Sequence, residues 1–103
     1  MVQFVENVYN KMKLSENEFI NSSSKKKIEY EFELLNFNEN EFEDNLYEII
    51  KELNSYAYVD YIEENKCIIG WEPIICEIEY EKIDNKYVFK LKCLKCEETD
   101  CYF

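Results

Sequence analysis

The sequence predicts an α+β domain. An antiparallel sheet of about five strands should carry two helices on one face, one N-terminal and one long. Three patterns lead to this reading. Apolar residues recur at helical spacing in two stretches, residues 28–34 alternate strictly between apolar and acidic, and two alternating runs flank Asp84-Asn85. The resulting order is helix, strand, helix, then four strands.

Taken in order, Val5, Val8 and Met12, with Met1 and Phe4 alongside, predict a helix over 2–13. Ser15 and Glu18 have the spacing of a capping box, which would open a short second turn ahead of Phe19 and Ile20. The polar run Asn21-Ser22-Ser23-Ser24 and Lys25-Lys26-Lys27 reads as a loop within one domain, residues 1–103. Ile28, Tyr30, Phe32 and Leu34 then share one strand face, and Glu29, Glu31 and Glu33 the other. Asn38 and Glu41 resemble a second capping box, with acids in the first turn where the helix dipole favours them. Phe42, Leu46, Ile49, Ile50 and Leu53 make 39–54 an amphipathic helix.

Residues 57–63 and 67–71 read as two strands joined near Glu64-Asn65-Lys66. Both faces of 57–63 are apolar, Tyr58 and Ile62 on one and Val59 and Tyr61 on the other, which predicts a central position or an interface. Gly70 is the expected bulge, and Pro73 should break the ladder. Residues 74–83 and 86–94 form the clearest hairpin. A two-residue turn opposes Tyr80 to Phe89, Ile78 to Leu91 and Cys76 to Cys93 on one face. Glu79 then meets Lys90 and Glu77 meets Lys92 on the other, so apolar faces apolar and opposite charges face each other.

Composition narrows the function classes. The chain has 103 residues, 47% hydrophobic and 17% aromatic, and is too apolar for disorder. That size leaves room for one core and at most a shallow pocket, and no cofactor is expected. No apolar run is long enough to span a bilayer, and Met1–Lys13 lack the pattern of an export signal, so a cytoplasmic location is expected. All 12 cations are Lys, and there is no His, the usual general base near neutral pH. With one Gly, no phosphate-cradling loop or dinucleotide fingerprint can be built. No pair of carboxylates stands out, and the chain is not expected to be an enzyme.

The five cysteines include Cys93-x-x-Cys96 followed by Cys101, part of a zinc-knuckle spacing. A fourth ligand would have to be Cys67 or Cys76. A small Cys-dependent zinc or redox domain is therefore one alternative, and buried thiols are the simpler expectation.

The strongest signal is charge. The net charge is −11, and it is segregated: residues 28–84 hold 17 acids against three lysines, whereas the two ends are slightly basic. So high a charge costs self-repulsion and exceeds what solubility of a small domain requires. Direct nucleic-acid binding is disfavoured, because phosphates would meet carboxylates. Glutamates on one strand face repeat every ~6.6–6.8 Å, about twice the ~3.4 Å phosphate rise of DNA. Glu29, Glu31, Glu33, Glu43, Asp44, Glu48, Asp60 and Glu63 are the candidate contact residues. The expected function is a small acidic inhibitor that fills the basic groove of a nuclease or other nucleic-acid-binding protein in place of phosphate. Phage anti-restriction and anti-CRISPR proteins, and immunity proteins against nuclease toxins, share this size and charge; the likeness is compositional and carries no motif. The other alternative is a structural or assembly subunit that associates, as a homodimer for example, through the 57–71 hairpin.

Overall fold

A computed structural model describes residues 2–22, 24–40, 42 and 46–95. The architecture is α+β: helix α1 (Val2–Asn21), strand β1 (Lys27–Leu34), helix α2 (Leu46–Leu53), then β2 (Tyr58–Glu63), β3 (Lys66–Trp71), β4 (Ile74–Ile83) and β5 (Lys86–Lys95). The five strands form one antiparallel sheet in the order β1-β5-β4-β3-β2. One buried cluster spans both helices and the sheet.

Helix α1 is continuous for 20 residues, which corrects the expected break at Ser15. Phe4, Val5, Val8, Met12, Ser15 and Phe19 follow one another at helical spacing and are all buried. Ser15 thus occupies a place in the apolar stripe, and its hydroxyl donates to Tyr30 Oη at 3.2 Å instead of capping a new helix. The N-terminal helix is therefore the long one. Residues 39 and 40 are helical, and Asn38 Oδ1 accepts the Asn40 N–H at 3.0 Å, as an N-cap would. Glu41, the other half of that capping box, lies outside the described residues.

The β4–β5 register matches the sequence expectation pair for pair, from Cys76↔Cys93 to Tyr80↔Phe89. Asp84, first residue of the turn, has φ 56°, a left-handed conformation that Asp tolerates. Glu72-Pro73 turns the chain between β3 and β4, as Pro73 foretold. Two expectations are corrected. Of the two positions expected for the 57–63 strand, central or at an interface, the first is corrected: it is an edge strand, because β3 takes the place between it and β4. The bulge is not at Gly70, which pairs regularly with Tyr58 and Ile75; the register shift lies in β2, between Tyr61 and Glu63. With Ile62 at that shift, the simple alternation of β2 ends, and Ile62 is 49% exposed.

Polar ties lock the layers at specific points. One oxygen of Glu16 accepts the Trp71 indole N–H at 3.1 Å, while the other meets Lys13 Nζ at 2.9 Å, pinning α1 to β3. Asn65 Nδ2 donates to the Tyr80 carbonyl at 2.8 Å, closing the β2–β3 turn onto β4. The aromatic centre is Phe89, stacked on Phe32 at 5.1 Å and edge-on to Phe37 at 4.8 Å. None of the described helices is long and apolar enough to cross a membrane.

Candidate interaction surface

The helices cover one face of the sheet, and the other is open. Period-two alternation sends Glu29, Glu31 and Glu33 to the open face, together with Lys90 and Lys92 of β5 and Glu77 and Glu79 of β4. Lys66 of β3 and Glu63 of β2 complete the set. Read across the strands, one row runs Glu31, Lys90, Glu79, Lys66, Glu63. Its sign changes at every step, and both ends are acidic. The next row runs Glu29, Lys92, Glu77, Ile68, Asp60. A trough of about 430 Å³ runs between the side chains of β1, β5 and β4, lined by Glu29, Glu31, Glu77, Glu79, Lys90 and Lys92.

This arrangement changes the reading of the β1 glutamates. Sequence alone assigned Lys90 and Lys92 to the β4 row. In the sheet, β5 lies between β4 and β1, so the same two lysines face both rows. The β1 acids have closer partners as well. Lys27 Nζ is 2.9 Å from Glu29, and the ion pair holds the Glu29 carboxyl below its ordinary range. Lys86 Nζ is 2.9 Å from Glu33. Glu31, between them, makes no ion pair with any described residue. On β3, Lys66 contacts Glu77 at 3.2 Å, and that contact raises the ammonium pKa.

Of the eight expected contact residues, Glu29, Glu31, Glu33, Asp60 and Glu63 therefore share one face, on its two opposite edge strands. Glu48 does not join them: it is an exposed residue of α2, in the helical layer. Glu43 and Asp44 lie outside the described residues. Sequence reasoning missed Glu81, Glu64 and Glu39, which line a second hollow of about 400 Å³ with Lys82, where the strand turns meet the chain entering α2. Only the strand order brings these three together.

The described cysteines are interior groups. Cys67, Cys76 and Cys93 are free thiols on the covered face. Cys76 Sγ donates to Cys93 Sγ at 2.8 Å, and burial pushes the Cys76 thiol up. Burial likewise raises Cys67. The Cys67 and Cys76 thiols are therefore poor nucleophiles and poor metal ligands, because both roles need the thiolate, whereas Cys93, which accepts the Cys76 S–H, is shifted down. Cys96 and Cys101 lie outside the described residues, and among the described residues no group of three or more His, Cys, Asp or Glu could hold a metal ion.

In chemical terms, the open face can present alternating charge and apolar contacts to a broad surface. Comparison with known proteins finds no matching family model, no matching curated protein and no matching solved structure.

Proposed function

We propose that the protein is a non-catalytic binding module whose acidic surface docks onto a cationic groove of a nucleic-acid-binding protein or nuclease. It would act as an inhibitor of the immunity-protein or anti-defence type. One observation carries this reading: on the open face Lys66, Lys90 and Lys92 lie on inner strands, while both edge strands present carboxylates, joined on β1 by Lys27 at its first position. A cationic surface approaching from either edge meets anions first, and the net charge of −11 steers it there. Carboxylates then occupy places that phosphates would take. The test is displacement of labelled duplex DNA from basic nucleases of the same host or its phage. Displacement should weaken at least tenfold between 50 and 300 mM salt, and again in the triple variant Glu29→Lys, Glu31→Lys, Glu33→Lys. Displacement that ignores both changes would refute the electrostatic mechanism.

A second reading, an assembly subunit, is supported at the other edge. Tyr56 is 89% exposed beside a hollow of about 430 Å³ that it lines with Tyr58 and Trp71. Sedimentation at micromolar concentration separates the two readings: a stable oligomer that Tyr56→Ser dissolves favours assembly.

A further inference from the structure

We propose that the outer edge of β1 is a strand-docking site for an extended partner segment in which Lys or Arg alternates with apolar residues. The inference deepens the proposed function and rests on it, since it names the kind of segment a cationic partner would present.

The first argument is the backbone. β1 pairs with β5 over all eight residues without a shift, and among the described residues no strand lies on its other side. Half of its N–H and C=O groups therefore point outward, ready to extend the ladder. The opposite edge is a poorer template: β2 has six residues and a register shift.

A second argument comes from the side chains. Ile28, Tyr30, Phe32 and Leu34 point toward the helices, yet each is only half-buried, because nothing described lies beyond them. Lys11 of α1 reaches over the Tyr30 and Phe32 rings at 5.6 and 5.5 Å, a partial cover. An added strand would bury this row with its own apolar residues.

Charge identifies the occupant. Along the row that ends in Glu31, from β2 to β1, the open face alternates acidic, basic, acidic, basic, acidic. The strand that continues this series is cationic on the open side and apolar on the other, which is the pattern of β5 itself, with Lys90 and Lys92 against Phe89, Leu91 and Cys93. A second copy of β1 does not satisfy it. Antiparallel self-pairing about Glu31 would set Glu29 against Glu33 and Glu31 against itself, and like charges directly opposed are destabilising. Lys27 and Lys86 compete for Glu29 and Glu33, but both pairs are exposed and weakly held, and Glu31, which makes no ion pair with any described residue, can anchor the incoming cation.

The experiment uses the full chain and three synthetic eight-residue peptides. The first alternates Lys and Val; the second has the same composition with its lysines clustered; the third is the alternating peptide with its backbone N-methylated along one edge. Amide chemical shifts and hydrogen exchange are followed during titration. The proposal expects the alternating peptide to protect the β1 amides that point away from β5. It expects binding at least tenfold weaker for the other two peptides, and at least fivefold weaker for Glu31→Lys with the first. Equal binding of all three peptides without β1 protection overturns it, since bare charge then explains the attraction. No binding, protection of β2 instead, or concentration-dependent protection of β1 without peptide also overturns it. The DNA-displacement assay scores the broader acidic-surface reading separately, so the two can fail independently.

Discussion

On the covered face of the sheet, Phe32, Phe89 and Tyr80 lie side by side on β1, β5 and β4. One residue along each strand, on the open face, the same three strands carry Glu31, Lys90 and Glu79. The backbone ladder is common to both rows, so the comparison isolates the side chains. Burying a large apolar side chain is worth ~1.5–3 kcal/mol, whereas a solvent-exposed cross-strand charge pair is worth ~0.2–1 kcal/mol. The covered face therefore holds the fold, and the open face is available for recognition.

The largest test breaks the covered face. Phe89→Ala removes the ring shared by Phe4, Phe32, Phe37 and Tyr80 and should cost about 3–5 kcal/mol, read as a lowered urea midpoint. Lys90→Ala, its neighbour on the open face, should shift stability by less than about 0.5 kcal/mol. Equal losses would abolish the distinction.

Next in size is the tie between the layers. Trp71→Phe keeps a ring but deletes the N–H donated to Glu16, and should cost about 1–2 kcal/mol in the same denaturation measurement. Glu16→Ala should add little in that background, because the partner is already gone.

A smaller effect sharpens the open face. Were the β4–β5 hairpin isolated, the swap Glu79→Lys with Lys90→Glu would restore the pair. In the five-strand row the swap sets the introduced ammonium of β4 beside Lys66 and the introduced carboxylate of β5 beside Glu31. The double variant should therefore remain destabilised by up to about 1 kcal/mol. Full recovery would mean that the row does not act as a unit.

The smallest effects are titrations. Burial, with the Asp60 charge adding to it, pushes the Tyr58 phenol up to about 12. The neutral phenol is thus favoured in the folded state, and its contribution is complete below pH 10 and lost between 10 and 12. Ultraviolet titration should show a late-ionising tyrosine component that shrinks in Tyr58→Phe. The sign reverses for Glu29. Its lowered carboxyl stabilises the fold above the ordinary carboxylate range, and this is lost as pH falls through its folded pKa. Lys27→Gln should raise that titration point toward the ordinary value.

Much of this was legible in the chain. The alternation in 28–34 and the Asp84-Asn85 turn placed three strands and the β4–β5 register, because a two-residue loop leaves little freedom in pairing. The break expected at Ser15 failed because a serine buried in an apolar stripe, bonded to Tyr30, looks in sequence like a cap. The edge position of β2 was hidden because its apolar residues on both faces mimic a central strand.

Sequence by itself determined which side chains share a face on β1, β4 and β5, since that follows from a local period of two, which the register shift of β2 breaks between Tyr61 and Glu63. Tertiary structure alone decided which strands are neighbours. Tyr30 and Leu91 are 61 positions apart, and no local pattern states that they pair. That pairing puts Lys90 and Lys92 between two acidic rows and leaves β1 as an edge. Alternation is a property of one strand, whereas partnership is settled by how all the apolar faces are buried together.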